Sequence, residues 1–329
     1  MRFMKQIFTM FLLLIFSFAK TQQSKLQGSW IVESIKYNNG NPLEINHPLY
    51  STFIEYEFNG NNLEINNQKF KAAIDNSTIS TNFRKLNYQF ESNFLVINEK
   101  GDDKIYYLLK IDDFIKKYPE FEPREIVYNN KNIFESNLVI EPSFNNVENF
   151  EDFIRNNIPS YSSTSAKNEF FQAKYILTKE NKITDIQIEK SISKTFDNQF
   201  KTALLKSEQF LTNTSGKDLL VTHTFNFFKM FAGLTNKEEK QICNFIQKGN
   251  LFYEKNKFED AITHYEKLLA MNIHPSTKDR FGYSLDQAFI NLGVSYLVMK
   301  NTSKACEAFH KVGDQTNFKV RDYLLNFCK

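Results

Sequence analysis

The segment Phe245-Ile246-Gln247-Lys248-Gly249-Asn250-Leu251-Phe252 returns later in the chain as Phe289-Ile290-Asn291-Leu292-Gly293-Val294-Ser295-Tyr296. The match continues at the same spacing of 44 positions (293 minus 249) with three further pairs: Ala261 and Ala305, Tyr265 and Phe309, Leu268 and Val312. Small residues recur where two helices approach closely, and aromatic residues recur where the gap between helices is filled. A fixed period of this kind predicts stacked helical hairpins, which serve as scaffolds or binding surfaces more often than as active sites.

These recurring residues resemble the consensus of the tetratricopeptide repeat. The resemblance implies an all-α region over 237–329, with two hairpins and a capping helix from Phe318 to Phe327. The spacing of 44 exceeds the repeat length of about 34 in that family. We therefore expect the extra residues to lie between the hairpins, from Ile273 to Asp286.

The same resemblance implies an inner helix face that binds a peptide. It comprises seven positions: Ile246, Asn250, Tyr253, Ile290, Asn291, Val294 and Leu297. In some tetratricopeptide proteins, Asn at the positions of Asn250 and Asn291 holds a peptide backbone or a terminal carboxylate. Ile246 stands where those proteins carry a Lys, which favours an apolar peptide or helix as the ligand. The alternative is that these side chains face the extra segment or a neighbouring domain.

Composition bounds the remaining possibilities. The chain has 329 residues, of which 41% are hydrophobic and 15% aromatic, so it is long and apolar enough to form two or three folded domains. The net charge of +3 argues against a nucleic-acid interface held by charge.

The N-terminus is typical of a secretory signal peptide over 1–21. Arg2 and Lys5 precede an apolar run from Ile7 to Phe16, and Ser17-Phe18-Ala19 supplies small residues for cleavage. An uncleaved anchor is the alternative, although the run is short for a bilayer span. No Cys follows the run, which argues against a lipid anchor, so we expect a periplasmic or secreted protein that meets membranes only through its partners.

Residues 22–115 predict an antiparallel β domain. Short aromatic and β-branched runs alternate with Asn- and Gly-rich turns, a pattern typical of a meander or a small barrel. The first strand opens with Leu26-Gln27-Gly28-Ser29-Trp30, which resembles the Leu-x-Gly-x-Trp start of lipocalin-like domains, where the Trp plugs one end of the barrel. The resemblance implies a barrel that could hold a small apolar ligand.

Residues 116–137 are expected to be a connector, because Pro119 and Pro123 prevent a continuous helix. From 138 to 230 the pattern predicts an α+β domain with a helix, a hairpin of two strands, a second helix and a final alternating strand. The hairpin turn at Lys179-Glu180-Asn181-Lys182 and the final strand, Asp218 to Phe228, resemble the C-terminal domain of TonB-type proteins.

In TonB-type domains the final strand can accept an extended peptide along its edge. Carried onto this chain, the resemblance assigns that role to four residues: Leu219, Val221, His223 and Phe225. The alternative is an ordinary sheet edge that twist and charge protect.

Motifs for catalysis are missing from the sequence: it has no Gly-rich phosphate loop, no Gly-x-Ser-x-Gly turn and no Cys/His dyad signature. Cys306 and His310 share a helix face and suggest two zinc ligands, yet a site needs three or four, so we expect no metal and no cofactor. The three cysteines, Cys243, Cys306 and Cys328, favour buried thiols, and a disulfide between Cys306 and Cys328 is the alternative.

The sequence therefore predicts a non-enzymatic interaction protein of the cell envelope that binds a peptide or protein partner. Two alternatives stay open. One is a lipocalin-like carrier of a small apolar ligand, and the other is a TonB-like energy transducer for outer-membrane transport, which requires the N-terminus to remain uncleaved.

Overall fold

The computed structural model describes residues 24–66, 68–164, 169–227, 234, 236–313 and 317–328. The predicted signal peptide, 1–21, lies outside this range. The chain divides into two compact units, of which the first ends at Glu120 and the second begins at Phe121.

The first unit is a nine-stranded antiparallel sheet followed by a short helix. Its strands are β1 (Gly28–Tyr37), β2 (Glu55–Asn59), β3 (Asn62–Ile65), β4 (Gln68–Lys71), β5 (Ala73–Ile74), β6 (Thr78–Ser80), β7 (Lys85–Glu91), β8 (Phe94–Glu99) and β9 (Lys104–Lys110), and the helix is α1 (Ile111–Lys117). The strand order is β4-β3-β2-β1-β9-β8-β7-β6-β5. Its two ends, β4 and β5, are neighbours in the chain, so the sheet curls into a nearly closed barrel-like structure. The expected antiparallel β architecture is confirmed.

The start of β1 explains the Leu-x-Gly-x-Trp pattern in physical terms. Gly28 has a φ of +99°, a backbone conformation that residues with a side chain rarely adopt. The turn allows the buried Trp30 indole N–H to donate to the carbonyl oxygen of Leu26 at 2.8 Å. Both side chains join the apolar cluster of this sheet. Burial of a Trp requires such a partner for its N–H.

The second unit begins with a five-stranded mixed sheet. Its elements are β10 (Arg124–Tyr128), β11 (Lys131–Glu135), β12 (Ser143–Phe144), α2 (Phe150–Asn156), α3 (Tyr161–Thr164), β13 (Phe170–Leu177), β14 (Ile183–Lys190), α4 (Lys194–Ser207), β15 (Leu211–Thr212) and β16 (Leu219–Asn226). The order of the large sheet is β10-β11-β16-β13-β14, and β12 pairs separately with β15. The segment expected as a connector thus supplies the hairpin β10–β11.

One face of this sheet carries the main core of the unit. Side chains of β13, β14 and β16 pack there against α2 and α4, with Phe171, Phe196 and Phe200 completely buried. The turn between β13 and β14 places Asn181 at a φ of +64°. Asn tolerates this left-handed conformation, and so it serves where a Gly is usual.

The rest of the second unit is helical: α5 (Lys237–Glu254), α6 (Phe258–Leu269), α7 (Pro275–Val298), α8 (Thr302–Phe309) and α9 (Phe318–Phe327). The predicted C-terminal helical region is confirmed. Helices α5 and α6 form one hairpin and α7 and α8 a second, and α9 packs on α8. A Cβ added at Gly249 would lie 2.6 Å from Cδ1 of Tyr265, and one added at Gly293 would lie 2.6 Å from Cδ1 of Phe309. Both hairpins therefore use the same close contact of glycine with an aromatic ring.

The extra residues between the hairpins do not form a loop. The His274 side chain accepts from the N–H of Ser276 as a cap, and Pro275 occupies the first turn of α7, where its missing N–H costs nothing. Most of the segment from Ile273 to Asp286, where the extra residues were expected, therefore lengthens α7.

Candidate functional site

The inner helix face is largely covered. Five of its seven side chains are at most 9% exposed: Ile246, Ile290, Asn291, Val294 and Leu297. Asn250 and Tyr253 are half-buried. Side chains buried to this extent present almost no surface to a partner. A peptide groove at this face therefore has little support from the described residues.

The two asparagines of the inner helix face bond to each other and to a tyrosine. The Tyr265 hydroxyl donates to Oδ1 of Asn250 at 2.6 Å, and Nδ2 of Asn291 lies 3.3 Å from both oxygens. Gln287 Nε2 donates to Oδ1 of Asn291 at 2.9 Å. This network satisfies amide groups that the packing of α5, α6 and α7 removes from water. It joins the hairpins and leaves little bonding capacity for a peptide.

The strand β16, which lies between β11 and β13 in the sheet, carries the four other candidate residues. The side chains of Leu219, Val221, His223 and Phe225 are 1–9% exposed and all lie on the core side of the sheet. Their peptide groups also point away from solvent. The Phe227 N–H donates to the carbonyl of Glu169 at 2.9 Å, and in antiparallel pairing such bonds recur at every second residue. These four residues therefore bond through their backbones to β13.

The residues between these four, which are Leu220, Thr222 and Thr224, direct their peptide groups to the other side of the strand. We call this side, which faces away from β13, the outer edge of β16. Among the described residues, pairing is found only at the start of this edge. There β11 pairs in parallel, with Phe134 opposite Leu219 and Glu135 opposite Leu220, and the Ser136 N–H donates to the Leu220 carbonyl at 2.9 Å.

The chain then turns away from the sheet. Oδ1 of Asn137 accepts from the N–H groups of Val139 (2.8 Å) and Ile140 (2.9 Å). Beyond that point, the N–H and C=O groups of Thr222 and Thr224 face outward with no hydrogen-bond partner in the part of the chain that the structure describes. Both residues are exposed. The geometry is that of a strand edge that can pair with another backbone.

An imidazole and a carboxylate lie beside this edge on the core face. His223 stacks on Phe200 at 5.4 Å between ring centroids, and Phe150 meets its edge at 5.6 Å. Its Nε2 is buried without a hydrogen bond and lies 3.7 Å from Oε2 of Glu151. Burial lowers the pKa of His223 to about 4. Burial also raises the pKa of Glu151, an effect that the charge of Arg155 partly opposes.

The barrel-like sheet is the candidate site for a small ligand. Its interior side chains form one continuous apolar cluster that includes Val32, Phe58 and Leu108. One polar atom in it stands out. Tyr56 is 4% exposed, and its hydroxyl has no hydrogen-bond partner among the described residues. Burial raises the pKa of this hydroxyl to about 12.

The cysteines differ from the favoured prediction of three thiols. Cys306 and Cys328 form a disulfide, with Cα atoms 5.6 Å apart, and Cys243 is buried outside it. The packing of α9 on α8, in which the rings of Phe309 and Tyr323 stack at 4.9 Å, brings the two cysteines together. Cys306 is then no thiolate ligand beside His310. In the described ranges, no group of three or more His, Cys, Asp or Glu side chains is placed to hold a metal ion.

Comparison of the sequence with protein-family models gave no match, and none of the curated proteins matched it either. None of the helices in the described ranges combines the length and the apolar character needed to cross a bilayer.

Sequence reasoning missed the groups that matter most at the edge. It selected the inward residues of β16, because alternation marks side chains and gives no information about where peptide groups point. Thr222, Thr224 and Glu151 were not selected. The alternation of Thr222 and Thr224 with buried neighbours was the available signal, since it identifies the opposite face of the strand.

Proposed function

We propose that this protein is a non-catalytic interaction protein that binds an extended segment of a partner protein by strand addition at the outer edge of β16. The observation that carries the proposal is the pair of outward peptide groups at Thr222 and Thr224, which have no partner among the described residues. Strand addition satisfies such groups with main-chain bonds and reads the partner through alternate side chains.

Continuity with an existing strand pair supports this choice of occupant. The first residues of the same edge already pair with β11, so the edge has the twist and access that a neighbouring strand requires. An incoming segment would extend that pairing to Thr222 and Thr224. The outermost strand on the β13 side of the sheet, β14, is interrupted by irregular pairing with β13 and by Asp185 at a φ of +50°, features that hinder strand addition.

The finer assignments belong to the same proposal. The repeated glycine–aromatic contact supports kinship of the helical region with tetratricopeptide repeats, here acting as a scaffold. The strand order β16-β13-β14 and the hairpin turn support kinship with TonB-type C-terminal domains. A disulfide is expected in an oxidising compartment, which agrees with a periplasmic or secreted location.

A second candidate function is carriage of a small, mostly apolar ligand by the lipocalin-like barrel. The apolar cluster of this sheet, together with the Tyr56 hydroxyl near Arg84, Glu99 and Asp102, favours it, because an apolar ligand with one hydrogen-bonding atom would suit both. Native mass spectrometry of the purified protein tests this idea. A bound molecule lost in Tyr56→Phe would support it, and a ligand-free mass in both proteins would exclude it.

Selection and hydrogen exchange together test strand addition. A random twelve-residue peptide library is selected on the full chain, and each selected peptide is measured against Thr224→Pro and Thr224→Val. Proline removes the outward N–H and leaves the bonds to β13 in place. Valine keeps that N–H, and its side chain has nearly the same shape as that of threonine.

We expect Thr224→Pro to abolish binding and Thr224→Val to preserve it. Bound peptide should slow hydrogen exchange at the amides of Thr222 and Thr224. Peptides that bind Thr224→Pro and wild type equally, or that protect other amides only, would refute the proposal.

A further inference from the structure

The outer edge of β16 has a chemical feature that points to the kind of residue its partner carries. This inference rests on the proposed strand addition. Residues directly opposite each other on paired strands point to the same face of the sheet. A partner residue opposite His223 would therefore project onto the core face, where the imidazole lies.

Helix α2 borders that position. Helix α4 packs on β14 and α2 packs on α4, which places α2 over β16 and its outer side. Phe150 and Glu151 at the start of α2 reach His223. The side chain of a partner residue opposite His223 would therefore meet the carboxylate of Glu151.

Among the described residues, the Glu151 carboxylate has no Lys or Arg within ion-pair distance, although the charge of Arg155 acts on it from further away. Its acidic neighbour Asp152 pairs with Arg155, and Glu148 accepts from Asn156 at 3.4 Å. For Glu151 the only basic group within ion-pair distance in the described ranges is His223, at 3.7 Å. A neutral imidazole does not balance the charge, and the Glu151 side chain is still 50% exposed. A ligand can therefore reach it.

The imidazole supplies a second, independent indication. His223 is 8% exposed, and its Nε2 is buried without any hydrogen bond. A buried polar atom without a partner destabilises the fold. A ligand that reaches Glu151 can also satisfy this nitrogen.

We infer that the bound segment carries an arginine opposite His223, with its guanidinium donating to the Glu151 carboxylate and to Nε2 of His223. Arginine fits better than lysine because its planar fork offers several N–H groups in fixed directions and stacks on aromatic rings. Phe150, whose ring contacts His223, provides such an aromatic ring beside this position. A glutamate or aspartate at the same place would meet like charge.

The selection described above also tests this inference. Peptides that lose binding in Thr224→Pro are sequenced and aligned, and the tightest is made with Arg, Lys, Gln or Glu at its basic position. Fluorescence polarisation then measures each peptide against wild type, Glu151→Gln and Glu148→Gln. The last variant is a matched control, since it removes the same charge at Glu148, which precedes α2 and accepts a hydrogen bond from Asn156.

We expect enrichment of arginine at one fixed position. Replacing that arginine by Gln should weaken binding about tenfold, and Glu151→Gln should weaken the Arg peptide about tenfold while leaving the Gln peptide unchanged. Glu148→Gln should change neither affinity by more than about twofold.

The two proposals fail in different ways. If edge-dependent peptides emerge without a basic residue, or if Glu151→Gln weakens the Arg peptide no more than Glu148→Gln does, the arginine inference is wrong and strand addition stands. If no peptide distinguishes Thr224→Pro from Thr224→Val, strand addition itself is wrong and the arginine inference falls with it.

Discussion

The inner helix face and the edge of β16 are both candidate binding surfaces in the sequence, yet the fold buries most of the first and leaves part of the second exposed. Most of the inner helix face is buried, and its asparagines bond to Tyr265 and to each other. The outer edge of β16 keeps two consecutive outward peptide groups without a partner among the described residues. A consensus position therefore identifies which residues face a neighbouring element, whereas their availability to a partner depends on whether another part of the chain already occupies that face.

The largest expected effect lies in the helical hairpins. Gly293→Ala would drive a Cβ into the Phe309 ring, so the free energy of unfolding should fall by about 3 kcal/mol. Gly282 lies in the same helix with no atom within 4 Å of an added Cβ, so Gly282→Ala should stabilise the protein by about 1 kcal/mol. Urea unfolding followed by circular dichroism measures both. Equal effects would mean that the hairpins are not closely packed.

The buried His223 on the core face of β16 should make the free energy of unfolding depend on pH, with an effect of similar size. The folded pKa of His223, about 4, lies below its ordinary value of 6.5, so the unfolded chain binds the proton first as pH falls. Stability is then complete above pH 6.5 and declines toward pH 4, by about 3 kcal/mol in total.

The comparison of wild type with His223→Phe by urea unfolding at pH 7, 5.5 and 4.5 isolates this effect, because the other groups titrate in both proteins. The difference between the two stabilities should grow toward low pH in favour of the Phe variant. A constant difference across this range would contradict the buried, neutral imidazole.

A smaller loss of stability is expected for a change at Asn291, and it tests whether this asparagine stabilises the fold or binds a ligand. Asn291→Ala removes the acceptor of Gln287 and the donor to Asn250 and Tyr265, which should cost about 2 kcal/mol of stability. Affinity for an edge-binding peptide should stay the same. Gln241→Ala, at an exposed position of α5, serves as the control and should change neither quantity. Loss of peptide affinity without loss of stability would restore the inner helix face as the binding surface.

The smallest effect concerns the outer edge itself. Thr222→Val retains the shape and the peptide group of an exposed residue, so stability should change by less than about 0.5 kcal/mol and peptide affinity by less than about twofold. Fluorescence polarisation with a selected peptide measures this. A marked loss of affinity would show that the hydroxyl takes part, and recognition would then not rest on the backbone alone.

Much of the architecture follows from local patterns. The alternation of apolar residues predicts most of the barrel strands, and the 44-residue period predicts both helical hairpins. The Leu26-Gln27-Gly28-Ser29-Trp30 motif predicts a buried Trp at the start of β1, as found. These features depend on residues close in sequence or on exact repetition, and so a single sequence carries them.

Other features have no local signal. The strand β6 is three residues long, too short for a periodic pattern. The hairpin β10–β11 lies in a charged segment between two prolines and the next domain, and its place beside β16 depends on pairing across about 85 residues of chain (219 minus 134). The disulfide likewise depends on how α9 packs on α8.

Local sequence patterns specify most of the elements: their periods, their turns and the side of each strand that is apolar. Which surfaces remain accessible depends on how these elements pack together. The inner helix face is covered because packing of α5, α6 and α7 removes its side chains from water. Beyond Leu220, the outer edge of β16 has no partner among the described residues, because β11 leaves it at Ser136, where the Asn137 side chain turns the chain. Peptide groups are the same in every residue, so no side-chain pattern records whether they have found a partner.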